Sequence, residues 1–350
     1  MIAPSEPAVR AAFAAVFERL AAELGAGATR IVITPLRYAA RPYSHIVLAE
    51  AKGGDRPLRF YAKIGKASPT LESDSPDTAT RYRTEFELLS RLSAELRDDA
   101  ALGVVQPMAL FEEFPAIVTL EAPGRDFLAE IKATASFGAS AAAEAALATY
   151  ARLCGAFLKR FHGALPVAGA WTLEDMRDYI DRRLRHLVET GWGGIDLRWR
   201  DRTLRWFDDL AADVSPADLA LVAVHGDFGL SNVVVHGGRV AVLDVSMFQQ
   251  GSALLDLTHI HHQLVQLGAH PRFTRAFAAR LARALIEGFD AVLDPGAPLF
   301  QLFRLQHMAC QMARLADARD QPWLSRLYDR YVTRRNLAWL ADAAGARRPS

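Results

Sequence analysis

Three residues between positions 227 and 244 are of the types that bind Mg²⁺ and activate a hydroxyl group. Asp227 and Asn232 follow one short apolar run, and Asp244 ends a later one. Mg²⁺ prefers oxygen ligands, commonly one or two carboxylates completed by waters and substrate phosphates. A further carboxylate near a metal-bound triphosphate can accept the proton of an attacking hydroxyl. The trio therefore predicts phosphoryl transfer, although a turn or a helix cap would explain each residue by itself.

The segment that carries these residues has the pattern of a loop followed by a β-hairpin. Apolar runs at 233–235 and 240–243 flank Gly237 and Gly238, a pair typical of tight hairpin turns. Such a hairpin brings its two ends together. We therefore expect Asn232 and Asp244 to be neighbours in the fold.

The sequences HGDFGLSN at 225–232 and VLD at 242–244 resemble motifs of the aminoglycoside phosphotransferase and choline kinase-like family. That family is related to the protein kinases, in which one Asp is the base and an Asn and a second Asp hold Mg²⁺. The resemblance implies that Asp227 is the base and that Asn232 and Asp244 are metal ligands. Asp244 is followed by Val-Ser where protein kinases have Phe-Gly. Asp256 resembles a further Asp of the family, and we interpret it as structural.

Lys63 is the residue expected to hold the nucleotide phosphates, and Glu85 is expected to orient it. Lys63 lies inside the alternating strand 58–64, and a buried charge in an apolar strand must be paired. The sequence FYAKI resembles the family strand whose Lys contacts the α- and β-phosphates, and Glu85, on a predicted helix at 78–96, matches the Glu that pairs with it. Glu87 is the alternative for this Glu. A solvent-facing Lys on an edge strand and a solvated helix charge are the structural alternatives.

A phosphate-covering loop is predicted between strands at 31–34 and 46–50. The loop, residues 37–45, contains no glycine, unlike the corresponding loop of protein kinases. Ser44 is the residue that the resemblance implies for phosphate contact. A polar hairpin tip would explain Ser44 equally well.

The segment after the predicted strand 116–120 resembles the hinge between the two lobes of a kinase. Pro123 and Gly124 punctuate the chain there, so we place the lobe boundary at this point. The resemblance implies that backbone groups of this segment bind adenine, and the residues concerned are Thr119, Leu120, Glu121 and Ala122.

The order of predicted elements indicates an α+β protein. A helix at 7–24 precedes strands and a single helix, and the chain beyond the hinge is mostly helical apart from the hairpin. The resemblance implies a two-lobed protein-kinase-like fold with a small N-terminal antiparallel β-sheet. Residues 1–122 would form the nucleotide-binding lobe, and residues 123–350 the larger lobe with the catalytic and acceptor-binding residues.

Several residues of the predicted larger lobe admit both a structural and a ligand-binding interpretation. His162 follows the family pattern and is expected to support packing. His259, His261 and His262 lack a Cys or Glu at zinc spacing, so we expect them at a helix start beside the acceptor pocket. Acidic residues at the start of a predicted helix would suit a cationic acceptor, but charges near a helix N-terminus explain them without one; they are Glu174, Asp175, Asp178 and Asp181. Aromatic residues in the following segment would stack on an acceptor if exposed and form core if packed; they are Trp192, Trp199 and Trp206.

Composition limits the classes of function. The net charge of +1 argues against a nucleic-acid-binding protein. No apolar run approaches the ~20 residues of a membrane span, and an N-terminus that carries Glu6 and Glu18 within an amphipathic helical pattern is unlike a signal peptide. Cys154 and Cys310 read as buried thiols, which fits a reducing, cytoplasmic setting. A monomer or a homodimer is expected.

The resemblance implies an enzyme that uses ATP or GTP with Mg²⁺. It would move the γ-phosphate to a hydroxyl of a small molecule, and aminoglycoside-, choline- and sugar-like acceptors all remain candidates. The glycine-free loop motivates an alternative, a nucleotide-binding kinase-like module without catalytic activity. A third hypothesis is a metal-dependent hydrolase that uses the histidine cluster.

Overall fold

A computed structural model of the chain describes residues 6–25, 30–54, 56–66, 77–164, 167–245, 249–318 and 322–346. The chain divides into two compact units. The first comprises Met1–Glu130 and Ser231–Phe248, and the second comprises Ile131–Leu230 and Gln249–Ser350. The hairpin segment thus belongs to the first unit, although the 100 residues Ile131–Leu230 separate the two parts of that unit in the chain.

The first unit contains a five-stranded antiparallel sheet and two long helices. Its strands and helices are α1 (Pro7–Leu24), β1 (Val32–Ala40), β2 (Ser44–Lys52), β3 (Leu58–Gly65), α2 (Thr78–Glu95), β5 (Pro107–Phe111) and β6 (Ala116–Leu120). The sheet order is β1-β2-β3-β6-β5. Alternate residues on one face, including Phe60, Ala62 and Val118, pack in one core with Phe13 and Val16 of α1. The period-two pattern therefore places the residues between them, such as Lys63, on the opposite face.

The predicted loop at 37–45 is wrong in extent. Residues 37–40 pair with residues 45–48, so only residues 41–43 connect β1 to β2. Pro35 is tolerated because β1 is an edge strand, and the register shifts between Pro35 and Arg37. Of the polar residues in this stretch, Arg37 is an exposed residue of the edge strand β1, whereas Ser44 and His45 are buried in β2.

A second sheet in the first unit carries the predicted hairpin. It is formed by β4 (Leu102–Val104), β10 (Arg239–Val242), β9 (Val233–His236) and β7 (Arg125–Asp126), in this order. Gly237 and Gly238 have φ values of 54° and 78°. Positive φ at both central residues is the requirement of a type I′ turn, which explains the Gly-Gly pair.

The second unit is mostly helical. Its elements, together with α3, which begins in the first unit, are α3 (Phe127–Ala135), α4 (Ala141–Ala164), α5 (Leu173–Thr190), α6 (Leu197–Ala211), β8 (Val222–Val224), β11 (Gln249–Gly251), α7 (Ala253–Leu267), α8 (Arg275–Phe289), α9 (Pro298–Asp317) and α10 (Trp323–Ala346). Apolar side chains of α5, α6, α9 and α10 share one core, in which Trp206 is 4% exposed. β8 and β11 pair antiparallel. The predicted α+β class is confirmed, and no helix of the described ranges is long and apolar enough to cross a bilayer.

Helices α4 and α8 cross closely at Gly288, and a substitution there tests this packing. A Cβ atom added to Gly288 would lie 1.9 Å from the carbonyl oxygen of Arg152, so the Gly288→Ala variant must push two helix backbones apart. Overpacking of this kind costs about 1–3 kcal/mol, and we expect that loss in the unfolding free energy measured with urea. Gly163→Ala, on α4, is the matched control, because no described atom beyond its chain neighbours and its own helix backbone lies within 4 Å of its added Cβ. Equal unfolding free energies in the two variants would contradict the crossing.

Candidate active site

Lys63 lies in the interior of the five-stranded sheet, where its ammonium group contacts two carboxylates. Strand β3 pairs with β2 on one side and β6 on the other, so the edge-strand alternative is excluded. Lys63 Nζ lies 2.6 Å from Asp244 Oδ1 and 3.2 Å from Glu85 Oε2. The same nitrogen lies 5.1 Å from the centroid of the Tyr82 ring. The predicted Lys–Glu contact is therefore present, and a residue 181 positions away in the chain completes the group.

Helix α2 positions Glu85 on its buried face. Asp77 caps the helix by accepting a hydrogen bond from the backbone N–H of Thr80. Tyr82 and Glu85 are three residues apart and are both buried, whereas Glu87 is exposed. The structure thus selects Glu85 over Glu87 as the partner of Lys63.

Within this buried group the pKa values of Lys63 and Glu85 are both raised. Burial alone would lower the pKa of Lys63, but the nearby carboxylates of Glu85 and Asp244 outweigh it and raise that pKa above its usual value. Burial raises the pKa of Glu85 to about 7, and Asp244 adds to the rise while Lys63 opposes it. The pKa of Glu85 stays raised because one ammonium group cannot fully compensate two carboxylates. Lys63, whose own pKa is raised, stays positively charged.

Asp244 takes a backbone conformation that is uncommon for residues other than glycine. Its φ is 62°, in the left-handed region, where Asp and Asn are the most tolerated of the larger residues. The chain leaves β10 at Val242 and turns at this residue, with the carboxylate directed to Lys63. Strained residues of this kind persist where the surrounding structure holds them, commonly at functional sites.

The two ends of the hairpin meet as predicted. Asn232 ends a short 3₁₀ turn just before β9, and its carbonyl oxygen accepts a 3.0 Å hydrogen bond from the N–H of Leu243. Asn232 is thus held beside the residue that precedes Asp244. An amide and a carboxylate placed at adjoining chain ends suit Mg²⁺, which needs few protein ligands when waters and phosphates complete its shell.

Asp227 belongs to the second unit, in the loop after β8. The backbone N–H groups of His225 and Gly226 donate hydrogen bonds of 2.7 and 2.9 Å to the carboxylate of Asp256, which is 1% exposed. Gly226 has a φ of 83°, so the turn before Asp227 favours glycine. Asp256 therefore anchors the loop that presents Asp227, which confirms its structural interpretation.

Asp256 keeps its charge despite complete burial. Burial would raise its pKa, but a hydrogen bond from His162 and the nearby His225 side chain hold the pKa below its usual value. His162 Nε2 lies 3.3 Å from Asp256 Oδ2, and its ring packs edge-on against Phe289. His162 thus has the supporting role that the sequence indicated.

The predicted histidine cluster divides between two faces of α7: the rings of His259 and His262 both pack near His307, whereas His261 lies on another face. The ring of His261 packs edge-on against Phe300, His262 Nε2 lies 3.0 Å from Gln311 Oε1, and His259 lies nearest to Asp227. The described part of the chain holds no group of three or more His, Cys, Asp or Glu side chains suited to a metal ion. These residues give the metal-dependent hydrolase hypothesis no ligand set.

The lowered pKa values of His261 and His262 predict how the unfolding free energy depends on pH. Burial lowers the pKa of His261 to about 3 and that of His262 to about 4. Because an unfolded His has a pKa of about 6.5, the unfolded chain binds more protons below that pH, and stability present above it is lost as the pH falls. For each of the two residues, lowering the pH from about 7 to about 5 should lower the unfolding free energy by about 2 kcal/mol.

Urea unfolding at the two pH values tests this expectation. The His261→Phe variant should lose about 2 kcal/mol less than the wild type over the same interval. An unchanged pH dependence in that variant would mean that His261 does not remain neutral in the folded chain.

The predicted hinge borders a cavity of about 380 Å³ in the first unit. Leu120, Glu121 and Ala122 line it on one side, and Val234 and Ala241 of the hairpin line it on another. The backbone N–H groups of Leu120 and Glu121 already donate to carbonyl oxygens of Gln106 and Arg59. A ligand in this cavity must therefore use other groups of the segment.

The structure distributes the other predicted residues as follows. Lys63, Glu85 and Asp244 are not among the residues that line the cavity, and Thr119 lies within β6. Ser44 is the first residue of β2 and is only 5% exposed, so it does not sit at the tip of a long loop. The assignments of Ser44 and of the hinge residues to a nucleotide stay predictions.

One residue of the Lys63 group, Tyr82, was missed by sequence reasoning; it lies three positions before Glu85. On a helix this spacing places two residues on the same face. The periodicity of α2 is therefore the signal that could have found Tyr82.

Comparison with solved structures identifies the fold. A glucosamine kinase, solved with glucosamine, ADP and inorganic phosphate, has a TM-score of 0.58 and 16% identity, covering 93% of this chain and 82% of the other. A choline/ethanolamine kinase family protein from Mesorhizobium loti has a TM-score of 0.54 and 14% identity, covering 96% and 98%. A spectinomycin phosphotransferase, solved with ADP and spectinomycin, has a TM-score of 0.53 and 12% identity, covering 94% and 98%. These likenesses confirm the predicted kinase-like α+β fold.

Sequence comparisons identify the family. A search of curated protein sequences found no significant match. A family model does match, over residues 48–299, which include Lys63, Glu85, Asp227 and the whole hairpin. The chain belongs to the APH family, the phosphotransferase enzyme family.

Proposed function

We propose that this protein transfers the γ-phosphate of ATP to a hydroxyl group of a small molecule. The observation that carries the proposal is the buried group in which Lys63 contacts both Glu85 and Asp244. A buried Lys with its charge fixed by two carboxylates is suited to hold phosphate oxygens, as in kinases. Support for ATP comes from relatives of the same fold that were solved with ADP. GTP is the alternative nucleotide.

Each residue of the proposed site has a separate task. Lys63, oriented by Glu85, would contact the α- and β-phosphates. Asn232 and Asp244 would hold Mg²⁺, which when bound neutralises charge on the phosphate oxygens. Asp227, which precedes Asn232 by five residues, would accept the proton of the acceptor hydroxyl. Most of the rate would then come from positioning and charge neutralisation.

The oxygen donors present fit Mg²⁺ better than a softer metal. The hairpin ends supply one amide and one carboxylate, and the Asp244 side chain is 38% exposed. Lys63 already occupies one oxygen of that carboxylate. We propose that the other oxygen of Asp244 is the ligand, so that Lys63 keeps the carboxylate oriented.

The acceptor is the least constrained part of the proposal. Asp181, one of the acidic residues that would suit a cationic acceptor, is 6% exposed and is bound by Arg185 and Arg200. Glu174, Asp175 and Asp178 are exposed in the first two turns of α5. This arrangement supports the solvated-face interpretation. Aminoglycoside-, choline- and sugar-like acceptors are therefore all to be tested.

The experiment uses the full chain with Mg-ATP and four acceptors: choline, ethanolamine, glucosamine and spectinomycin. ADP release and the mass of the acceptor are measured together, after a thermal-shift screen of nucleotides and acceptors. A ligand at about 100 times its Kd adds about 2.7 kcal/mol to the unfolding free energy. A gain in acceptor mass of one phosphate group supports the proposal. Stabilisation by Mg-ATP without ADP release from any mixture would instead favour the inactive nucleotide-binding module.

A further inference from the structure

His259, a side chain of the second unit, lies close to Asp227, and the proposed function gives it no task. It lies on α7, and its Nδ1 atom is 3.9 Å from Asp227 Oδ1. The imidazole is mostly buried, with 20% of the side chain exposed, whereas Asp227 is 57% exposed. A ring nitrogen so placed can hold a carboxylate only if it carries a proton. The role of His259 therefore depends on which of its ring nitrogens carries the proton.

Gln263 fixes that tautomer. The backbone N–H of Leu230 donates a 2.8 Å hydrogen bond to Gln263 Oε1, and an N–H cannot accept, so the orientation of the Gln263 amide is defined. The amide nitrogen of Gln263 then faces His259 Nε2 at 3.1 Å. Because that amide nitrogen can only donate, His259 Nε2 must accept. A neutral His259 therefore carries its proton on Nδ1, the atom nearest Asp227.

The plane of the His259 ring is fixed independently. It stacks on His307 with centroids 5.2 Å apart and an interplanar angle of 19°. The hydroxyl of Thr258 donates to the carbonyl oxygen of Leu254, so its oxygen accepts from His307 Nε2 at 2.9 Å. Burial lowers the pKa of His259 and also that of His307, which keeps both rings neutral at neutral pH.

The same glutamine ties His259 to the loop that carries Asp227. Leu230 lies three residues after Asp227. A Cβ atom added to the neighbouring Gly229 would lie 2.7 Å from Gln263 Nε2, so the loop packs directly on this amide. Gln263 thus connects the imidazole and the backbone that bears the proposed base.

We infer that His259 is a positioning residue for Asp227: its Nδ1–H holds Oδ1 and so orients the carboxylate that takes the proton of the acceptor hydroxyl. This inference rests on the proposed function, in which Asp227 is the base. His259 neither gains nor loses a proton. At 3.9 Å the contact is longer than a hydrogen bond, and catalytic hydrogen bonds commonly tighten from such lengths when substrates bind.

The first experiment reads the tautomer without any turnover. Nitrogen-15 NMR of the imidazoles in the full chain, assigned with the His259→Asn variant, should show a protonated Nδ1 and a bare Nε2 for His259. A proton on Nε2 would overturn the inference, because the lone pair of Nδ1 would then face the carboxylate.

The second experiment measures Mg-ATP turnover in two variants of His259. His259→Phe keeps the stacked ring without an N–H, whereas His259→Asn keeps a donor near the Nδ1 position. We expect kcat of the Phe variant to fall about 10- to 100-fold, the value of a hydrogen bond to a charged group, with KM for ATP unchanged. The Asn variant should keep most of the wild-type kcat. Equal losses in both variants, or no loss in either, would overturn the positioning role.

A matched control and a wild-type measurement separate the two proposals. His186→Phe removes another histidine–carboxylate pair, in which His186 Nε2 lies 2.7 Å from Asp317 on the exposed surface of the same unit, and it should leave kcat unchanged. Absence of turnover in the wild type would overturn the proposed function and the positioning role with it. The NMR result would still decide the tautomer of His259.

Discussion

In the Asp227→Asn variant, kcat should fall by about 10²- to 10⁴-fold, the usual contribution of a general base. Asn has nearly the same shape but cannot take up the hydroxyl proton. Lys63, Asn232 and Asp244 all belong to the first unit, so the affinity for Mg-ATP should be retained. The measurement is kcat with an acceptor found by the screen, together with the Kd of Mg-ATP from calorimetry.

The control for this prediction is Asp218→Asn. Asp218 is an exposed aspartate nine residues earlier in the chain, within a 3₁₀ turn. Its variant should keep the wild-type kcat and Kd. A kcat for Asp227→Asn within about two-fold of the wild type would remove Asp227 from the role of base, because a lost base costs at least about a hundred-fold.

Local chemistry made the hairpin and the anchoring helices predictable from the sequence. Gly237 and Gly238 specify a turn that few other pairs allow, and the strands on either side are short and apolar. Helix α1 spans the predicted residues 7–24, since its Pro lies in the first turn and its apolar residues recur at helical spacing. The site residues on such elements, Asn232 and Glu85, could therefore be placed early.

Contacts between distant parts of the chain could not be predicted in this way. The Lys63–Asp244 contact joins residues separated by 181 positions, and it depends on how β10 pairs with β4. The membership of the hairpin in the first unit has the same origin. Only tertiary packing determines these contacts. Helix α6 differs, because its buried residues Thr203, Phe207 and Leu210 recur at helical spacing, and that periodicity could have predicted the helix from the sequence.

The tautomer of His259 is a further example of information that arises only from packing. Nothing near His259 in the sequence indicates a proton on Nδ1. It follows from the direction of one backbone N–H, that of Leu230, through Gln263. Sequence spacing could have placed His259 on the face of α7 that carries Asp256, but not assigned its hydrogen bonds.

The Lys63→Met variant should lose both activity and part of its stability, and the two effects have different signatures. Loss of the charge that holds the phosphates should lower kcat/KM by about 10²- to 10³-fold, comparable to the loss of one preorganised donor at a developing charge. Lys52→Met is the control, because Lys52 is 63% exposed and pairs with Glu50 at the surface of the same sheet. It should retain the wild-type kcat/KM.

The stability effect follows from the remaining buried carboxyl group. Burial already raises the pKa of Glu85 to about 7, and Lys63 opposes the rise more than any other group, with a smaller contribution from Arg81. Without Lys63 the pKa of Glu85 should rise further, so the folded variant binds a proton at neutral pH that the unfolded chain has released. A raised carboxyl pKa costs stability as the pH increases from the unfolded value to the folded one.

Urea unfolding across neutral and alkaline pH distinguishes the two proteins. In the wild type the contribution of Glu85 should be constant above about pH 7, because the group is then ionised in both states. In Lys63→Met the unfolding free energy should continue to fall above that pH, by up to about 1.4 kcal/mol per pH unit. The double variant Lys63→Met, Glu85→Gln should lose this slope. Equal slopes in the wild type and in Lys63→Met would show that Lys63 does not control the ionisation of Glu85, and the buried group on which the proposed phosphate contact rests would lose its electrostatic basis.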